Sequence, residues 1–449
     1  MTAEFDLHST LIGFESLRGS HTASNLAAVT IKVLDMYGIR EHINCITSDN
    51  ATVNDALFDN LEQELDTWCK EDGQIRCLAH VLNLAAQTVM KTLKSEAAEA
   101  EVDLANNAGG DEEQDNDPAA TLRRLRKVIA KIRSSSVLWD ALKTEVAAVK
   151  IDQLTPILDV RVRWNSTHKM IQRALELRPA LDRLLTLDPT KIFRRGHLKL
   201  TENDWSTLVR LERILDVFVD ATIFASSSTY PTLTQQLPYY QYIQNKLHEL
   251  VEKERASEDV PGDITSYLLW AAADEAYKKL NQYWQKTDNH TGQVVATILD
   301  PRMKLTVFEN LGWDWEWIEI ARAKFMKVYS RYYAKYEDSR LTGRGIDGHC
   351  DGYGTPGTIL QPGGHSSDRF SDFNSLVFGP IEEAEPLQGA ETIATNYLDE
   401  ERVERGATPI NWWKLHAHRF RSLAVMARDY LSVPATRSEF FLTEAFPVS

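Results

Sequence analysis

The sequence is poor in cysteine, has no long apolar run and carries no excess of positive charge. Four cysteines (Cys45, Cys69, Cys77, Cys350) in 449 residues exclude a disulfide-framed miniprotein and indicate a reducing compartment. No stretch reaches the ~18 apolar residues that a membrane span requires. The start, Met1-Thr2-Ala3-Glu4-Phe5-Asp6, lacks the basic and apolar regions of a secretory signal. Lys and Arg number 50 against 65 Asp and Glu, a formal charge of −15. Taken alone, that balance argues against a nucleic-acid-binding protein. What is present is core-forming material: the chain is 43% hydrophobic, with 11 Trp, 15 Tyr and 15 Phe. That suffices for about two to four domains at roughly 100–200 residues each.

The charge is uneven. Residues 95–118 hold nine acids (Glu96, Glu99, Glu101, Asp103, Asp111, Glu112, Glu113, Asp115, Asp117) and no Lys or Arg. This composition reads as a solvated, disordered insert. Removing those nine acids would bring the charge from −15 to −6. The next stretch, Leu122–Arg133, carries Arg123, Arg124, Arg126, Lys127, Lys131 and Arg133 with no acid. As a helix it would gather Leu122, Leu125, Ile129 and Ile132 on one face, leaving the cations as a solvated face or a phosphate-contacting patch. A second break, residues 338–386, contains nine of the chain's 21 glycines and reads as a flexible linker. The chain thus divides into residues 1–94, the acidic insert 95–118, a helical middle 119–337, the linker and a C-terminal piece 387–449.

Residues 1–94 read as alternating α/β: strands at His8–Phe14, Ile43–Asp49 and Ile75–Cys77, and helices at Thr22–Tyr37, Val53–Cys69 and Leu78–Leu93. Asp49 falls at the carboxyl end of a strand, where sites form in open α/β sheets. It could bind Mg²⁺ or cap the following helix. Cys77 and His80 have zinc-ligand spacing, but a closed zinc site needs four ligands and no second pair follows, so a packed Cys and a hydrogen-bonded His are expected. In the middle, helices are expected at Ala119–Val149, His168–Leu185, Glu202–Phe224, Leu233–Arg255, Asp263–Gln285 and Trp315–Tyr336. Trp313, Trp315 and Trp317 near Tyr329, Tyr332 and Tyr333 suggest core packing over base stacking. Arg161, Arg163 and Trp164 could touch a DNA backbone, with Trp164 equally suited to burial. Near the end, Thr408 and Pro409 open a helix in which Trp413, Ala417, Phe420, Ala424, Ala427 and Leu431 form a helix–helix seam.

Seven segments, in order, resemble one family: Gly13-Phe14-Glu15-Ser16-Leu17-Arg18-Gly19-Ser20-His21-Thr22, Ile46-Thr47-Ser48-Asp49-Asn50-Ala51, Cys77-Leu78-Ala79-His80-Val81-Leu82-Asn83-Leu84, Arg163-Trp164-Asn165-Ser166-Thr167, Leu299-Asp300-Pro301-Arg302-Met303-Lys304, Asn411-Trp412-Trp413-Lys414 and Leu431-Ser432-Val433-Pro434-Ala435-Thr436. They are similar to the hAT (hobo/Activator) DNA transposases. The resemblance implies an α/β plus all-α architecture: an RNase H-like core, here incomplete, interrupted by a large helical insertion and closed by a C-terminal dimerisation helix. It also implies an Asp-Asp-Glu triad holding two Mg²⁺ or Mn²⁺ ions, with Asp49 as the second carboxylate. Glu439, in Arg437-Ser438-Glu439-Phe440-Phe441, is the nearest counterpart of the Glu. The family's first Asp lies on a strand preceding Met1, and its zinc-finger domain precedes that, so the resemblance describes a chain truncated at both ends.

The expectation that follows is a nuclear transposase relic or domesticated derivative without strand transfer. It would need no metal and no small-molecule substrate, would stay off membranes, and would self-associate through Trp413, Phe420 and Leu431. DNA would meet Arg123, Arg124, Arg126, Lys127 and Arg163. Cys77, His80 and Trp164 would be structural. The rivals are an active Mg²⁺-dependent nuclease using Asp49 and a non-catalytic nuclear dimerisation module.

Overall fold

The computed structural model describes residues 1–15, 20–106, 117–151, 155–160, 163–195, 198–225, 231–256, 264–287, 291–342 and 389–436. They are mostly helical, with a two-stranded sheet of Ile46–Ser48 and Gln74–Arg76. The chain forms two compact units. One combines Met1–Ile46, Leu57–Gly73 and Thr291–Val433; the other combines Thr47–Ala56, Gln74–His290 and Pro434–Ser449.

Helix boundaries in the second unit follow local capping chemistry. Asp117 accepts from the Ala120 amide at 2.7 Å and precedes Pro118, which starts the helix Pro118–Ser134. Ser135 ends that helix and caps the next, Ser136–Ala148, so the single helix expected over Ala119–Val149 is two. Thr201 and Asp204 form a reciprocal capping box at the start of Glu202–Asp216. Trp164–Glu176 and Arg178–Leu187 replace the expected His168–Leu185, and Glu202–Asp216 with Val219–Ala225 replace Glu202–Phe224. Leu78–Asn106 packs on Ile264–Thr287, which packs in turn on Gln236–Ala256. One core joins these helices through Leu82, Leu125, Leu181, Leu208, Ile214, Leu269 and Ala273, all buried.

In the first unit, Thr22 caps Ala23–Tyr37 through the Asn25 amide, and Gly38 closes it with φ 65°, the left-handed conformation glycine adopts without strain. Ala27, Leu34, Phe58, Leu61, Leu65 and Trp68 make a small core. Every residue of Thr291–Ile298 is buried, because that helix is enclosed by Trp315–Thr342 and Arg421–Leu431.

Four expectations change. Residues 8–14 are not a strand: they join no sheet among the described residues, and Leu11 and Phe14 are exposed. The helix beginning at Leu78 continues to Asn106, so the first half of the acidic segment has a helical backbone; residues 107–116 lie outside the described residues. The linker falls outside them too, from residue 343 onward, while its first five residues belong to the helix Trp315–Thr342. On that helix Tyr329 is core, but Trp315 and Trp317, in its first turn, are exposed.

Candidate functional site

The candidate centre lies in the second unit, where Ile46–Ser48 ends in the polar run Asp49-Asn50-Ala51. Gln74–Arg76 is fully buried, and the Cys77 amide donates to the Ser48 carbonyl at 2.8 Å, bringing Cys77 beside the strand end. Asp49 is half-buried. Its Oδ1 accepts from the Ala51 amide at 3.1 Å and from Asn54 Nδ2 at 2.7 Å. The carboxylate therefore braces the turn that starts the helix Thr52–Glu64. Asn50 Nδ2 donates to the Cys77 carbonyl at 3.3 Å.

The segment Pro434-Ala435-Thr436 returns to this place. Thr47 Oγ1 donates to the Pro434 carbonyl at 2.8 Å. The Leu78 amide, one of the unpaired donors of a helix start, reaches the Ala435 carbonyl at 2.8 Å. Cys77 Sγ lies 3.1 Å from Thr436 Oγ1. Cys77 is thus a thiol packed in the core. His80 is half-buried; burial pushes its imidazole below the usual histidine range, and the nearby Asp49 charge opposes that. Glu439 lies outside the described residues.

A divalent pair of the transposase type needs several carboxylates to offset its own repulsion. Among the described residues, Asp49 shares no ligand-sized volume with two further His, Cys, Asp or Glu side chains. The described donor set does not fit two metal ions.

The basic run divides by partner. Arg126 grips Asp159 through Nε at 2.9 Å and Nη2 at 2.6 Å, and Thr167 Oγ1 donates to the same carboxylate at 2.7 Å. Arg124 pairs with buried Asp204, which also accepts from Thr121 Oγ1 at 2.8 Å. Both arginines therefore serve helix packing, which corrects their assignment to phosphate: their partners lie 33 and 80 residues away and leave no local signal. Arg123, which lies 3.9 Å from Asp117, Lys127 and Lys131 are exposed at four-residue intervals along one helix face. Arg123 and Lys127 line a cavity of about 430 Å³ walled by Arg126 and Asp159. Arg163 is exposed and precedes the helix begun by buried Trp164, whose ring meets Phe218 edge-on at 6.0 Å. Arg161 lies outside the described residues.

In the first unit, the expected seam is two helices, Pro409–His416 and Arg421–Leu431. Phe420 leaves the helical conformation (φ −121°, ψ 52°) as its ring enters a cluster with Trp412, Trp413 and Tyr397. Trp413 Nε1 donates to the Leu299 carbonyl at 2.9 Å. Trp413, Phe420 and Leu431 are all buried inside their own unit, so they form the interior of this region rather than its outer face. Thr408 makes no side-chain cap bond.

Residues 394–443 match the hAT family C-terminal dimerisation region. Residues 1–75 match the ZBED1 RNase-like domain and 75–214 the ZBED1 RNase-like helical domain. Across these three matched regions the chain is similar to hAT transposases. A Talaromyces stipitatus protein, tpeD, named as a transcriptional regulator, is 25% identical over 98% of this chain and 47% of its own length. A Zea mays protein bearing an AC transposase name is 26% identical over 68% of this chain and 33% of its own. The zinc finger BED domain-containing protein RICESLEEPER 3 of Oryza sativa is 24% identical over 96% of this chain and 52% of its own. The chain spans about half or less of the length of these hAT relatives. The dimerisation region supports self-association, and among the described residues no helix is long and apolar enough to cross a membrane.

Two features of this chain leave little signal in its sequence. Lys304, in the motif Leu299–Lys304, is a buried lysine held by the Tyr397 and Glu400 carbonyls. His168 packs against Glu212 and Asp216; the spacing of Glu212 and Asp216 could be read as one helix face, but the histidine 44 residues earlier could not be joined to it.

Proposed function

We propose that this chain is a domesticated or relic hAT-type protein that works by self-association and DNA association and does not cut DNA. In this reading the two short strands belong to an RNase H-like core, the helices of the second unit are its insertion, and the site of action is the nucleus. The observation that carries it is the state of Asp49. Its carboxylate is spent on the Ala51 amide and the Asn54 side chain, with no ligating pair beside it among the described residues. DNA association rests on Arg123, Lys127 and Lys131, three exposed cations on one helix face, the kind of stripe that meets successive phosphates.

The test is a supercoiled-plasmid nicking assay on the purified chain with Mg²⁺ or Mn²⁺, beside sedimentation in the same buffer. The expected results are no nicking and a species heavier than the monomer. Nicking that Asp49→Ala abolishes would overturn the non-catalytic reading in favour of an active metal-dependent nuclease. Sedimentation as a monomer at all concentrations would remove the self-association part.

A further inference from the structure

The helices Trp164–Glu176 and Glu202–Asp216 pack together in the second unit. Across their contact, His168 Nε2 lies 3.4 Å from Asp216 Oδ1 and 3.6 Å from Glu212 Oε1. Glu212 and Asp216 are four residues apart and so project from one face. The three ligand atoms fall within 4.8 Å of one another, and the 3.4 and 3.6 Å separations from the imidazole are ones that a single ion at ~2.0–2.2 Å from each ligand can span.

The histidine makes this more than an acidic cluster. His168 is 4% exposed, and its Nε2 is buried without a hydrogen bond among the described residues. Buried ring nitrogens are almost always satisfied, so one aimed at two carboxylates without a bond needs a partner. A cation among the three would take the imidazole lone pair and offset the crowding of the two acids.

We propose that His168, Glu212 and Asp216 bind one divalent first-row transition ion of the zinc class, which ties the two helices together. One nitrogen with two carboxylate oxygens suits Zn²⁺ or Co²⁺ better than Mg²⁺, which prefers an all-oxygen octahedron. Asp216 is 61% exposed at its side chain, so the remaining coordination position opens to water. The site is separate from Asp49 and from the Cys77–His80 pair, and it stands or falls independently of DNA cleavage.

The test uses the full chain stripped of metal by chelation. Titration with Co²⁺ is expected to give a saturable visible d–d spectrum at one equivalent, displaced by Zn²⁺, and Zn²⁺ is expected to raise the thermal midpoint. Asp216→Asn, at an exposed side chain, should fold like the wild type in chelator yet bind Co²⁺ at least about tenfold more weakly; His168→Asn should lose the spectrum. No spectrum and no Zn²⁺-dependent stabilisation in the wild type would overturn the proposal. So would a spectrum that persists unchanged in both variants, because the ion would then sit elsewhere. If His168 instead serves as a protonated ion-pair partner, Asp216→Asn lowers the midpoint equally with and without Zn²⁺, which also overturns it.

Discussion

Lys304 Nζ donates to the backbone carbonyl of Tyr397 at 2.6 Å while lying 4.7 Å from the centre of the same residue's ring. The Glu400 carbonyl accepts from it at 2.5 Å. Two carbonyls and an aromatic face replace the water that the ammonium loses, and Tyr397 OH in turn anchors to the Ile298 carbonyl at 2.9 Å. The motif Leu299–Lys304 is thus a structural clamp on the helix Ala390–Asp399, with Asp300 and Arg302 paired beside it at 2.6 Å.

Burial pushes the Lys304 ammonium down to about 8, opposed by Glu400 and Asp399. Its ordinary value is about 10.4. Below pH ~8 the amine is charged in folded and unfolded chains alike, and the full penalty of burying it is present. Between ~8 and ~10.4 the unfolded chain binds the proton that the folded chain has released, so this site's contribution to stability rises with pH. Denaturant unfolding of wild type and Lys304→Met at pH 7 and pH 10.5 isolates the effect. The half-buried thiol of Cys45 and the buried tyrosines, all raised by desolvation, cancel in the difference. The wild-type advantage is expected to grow by about 2–4 kcal/mol across that interval. A flat difference would show that the amine is not desolvated.

The Trp413 indole ties its helix to the carbonyl of Leu299 and packs 5.3 Å from the Tyr397 ring. Trp413→Ala should therefore lower stability by about 3–5 kcal/mol, and any loss of self-association should follow from that. Trp413→Phe keeps most of the packing and deletes the bond, for about 1 kcal/mol. In sedimentation below its thermal midpoint it should associate like the wild type. Weakened association of a folded Trp413→Phe would place this residue in the subunit contact itself.

What could be read from sequence depended on range. Thr22 and Gly38 bracket their helix because a cap acts over three or four residues. Ser135 was equally local but went unread, since Ala119–Val149 keeps its apolar period across the break. Asp49 was legible as a strand-end carboxylate; its engagement with Asn54 depended on how the turn closed. The basic run was legible as charge, but its division was not. Asp159 and Asp204 neutralise Arg126 and Arg124 from distant segments, and composition counts charges without pairing them. Of the Trp413–Leu431 spacing, Trp413, Phe420, Ala424, Ala427 and Leu431 are buried and Ala417 is half-buried, while the turn at Phe420 arose from an aromatic cluster whose Tyr397 lies on another helix.

Gly73 ends the short helix Lys70–Gly73 where no side chain fits. A Cβ there would meet Trp68 Nε1 at 2.2 Å and the Asn44 carbonyl oxygen at 2.6 Å, the two atoms that share a 3.1 Å hydrogen bond. Gly73→Ala should break that bond and displace Trp68 from Phe58, on which it stacks at 5.8 Å. The expected loss is about 1–3 kcal/mol, read as a lower denaturant midpoint with quenched or red-shifted tryptophan emission. An unchanged midpoint would mean that the backbone yields there without strain.

Arg126 and Lys127 are adjacent in sequence but differ in task, and their variants should separate cleanly. Asp159 is buried and takes both Arg126 and the Thr167 hydroxyl. Arg126→Ala strands that carboxylate and should lower stability by about 3–5 kcal/mol, the usual cost of removing one partner from a buried pair. Lys127 is exposed, so Lys127→Ala should change stability by no more than about 0.5 kcal/mol. If it faces DNA, it should weaken binding to duplexes of unrelated sequence alike. It should also reduce the slope of log affinity against log salt by about 0.9, one phosphate's worth of released counterion. Lys127→Ala with Lys131→Ala should roughly double that change. An unaltered salt slope in the double variant, with the fold intact, would remove this helix from the DNA-contacting surface and leave its exposed cations as a solvated face.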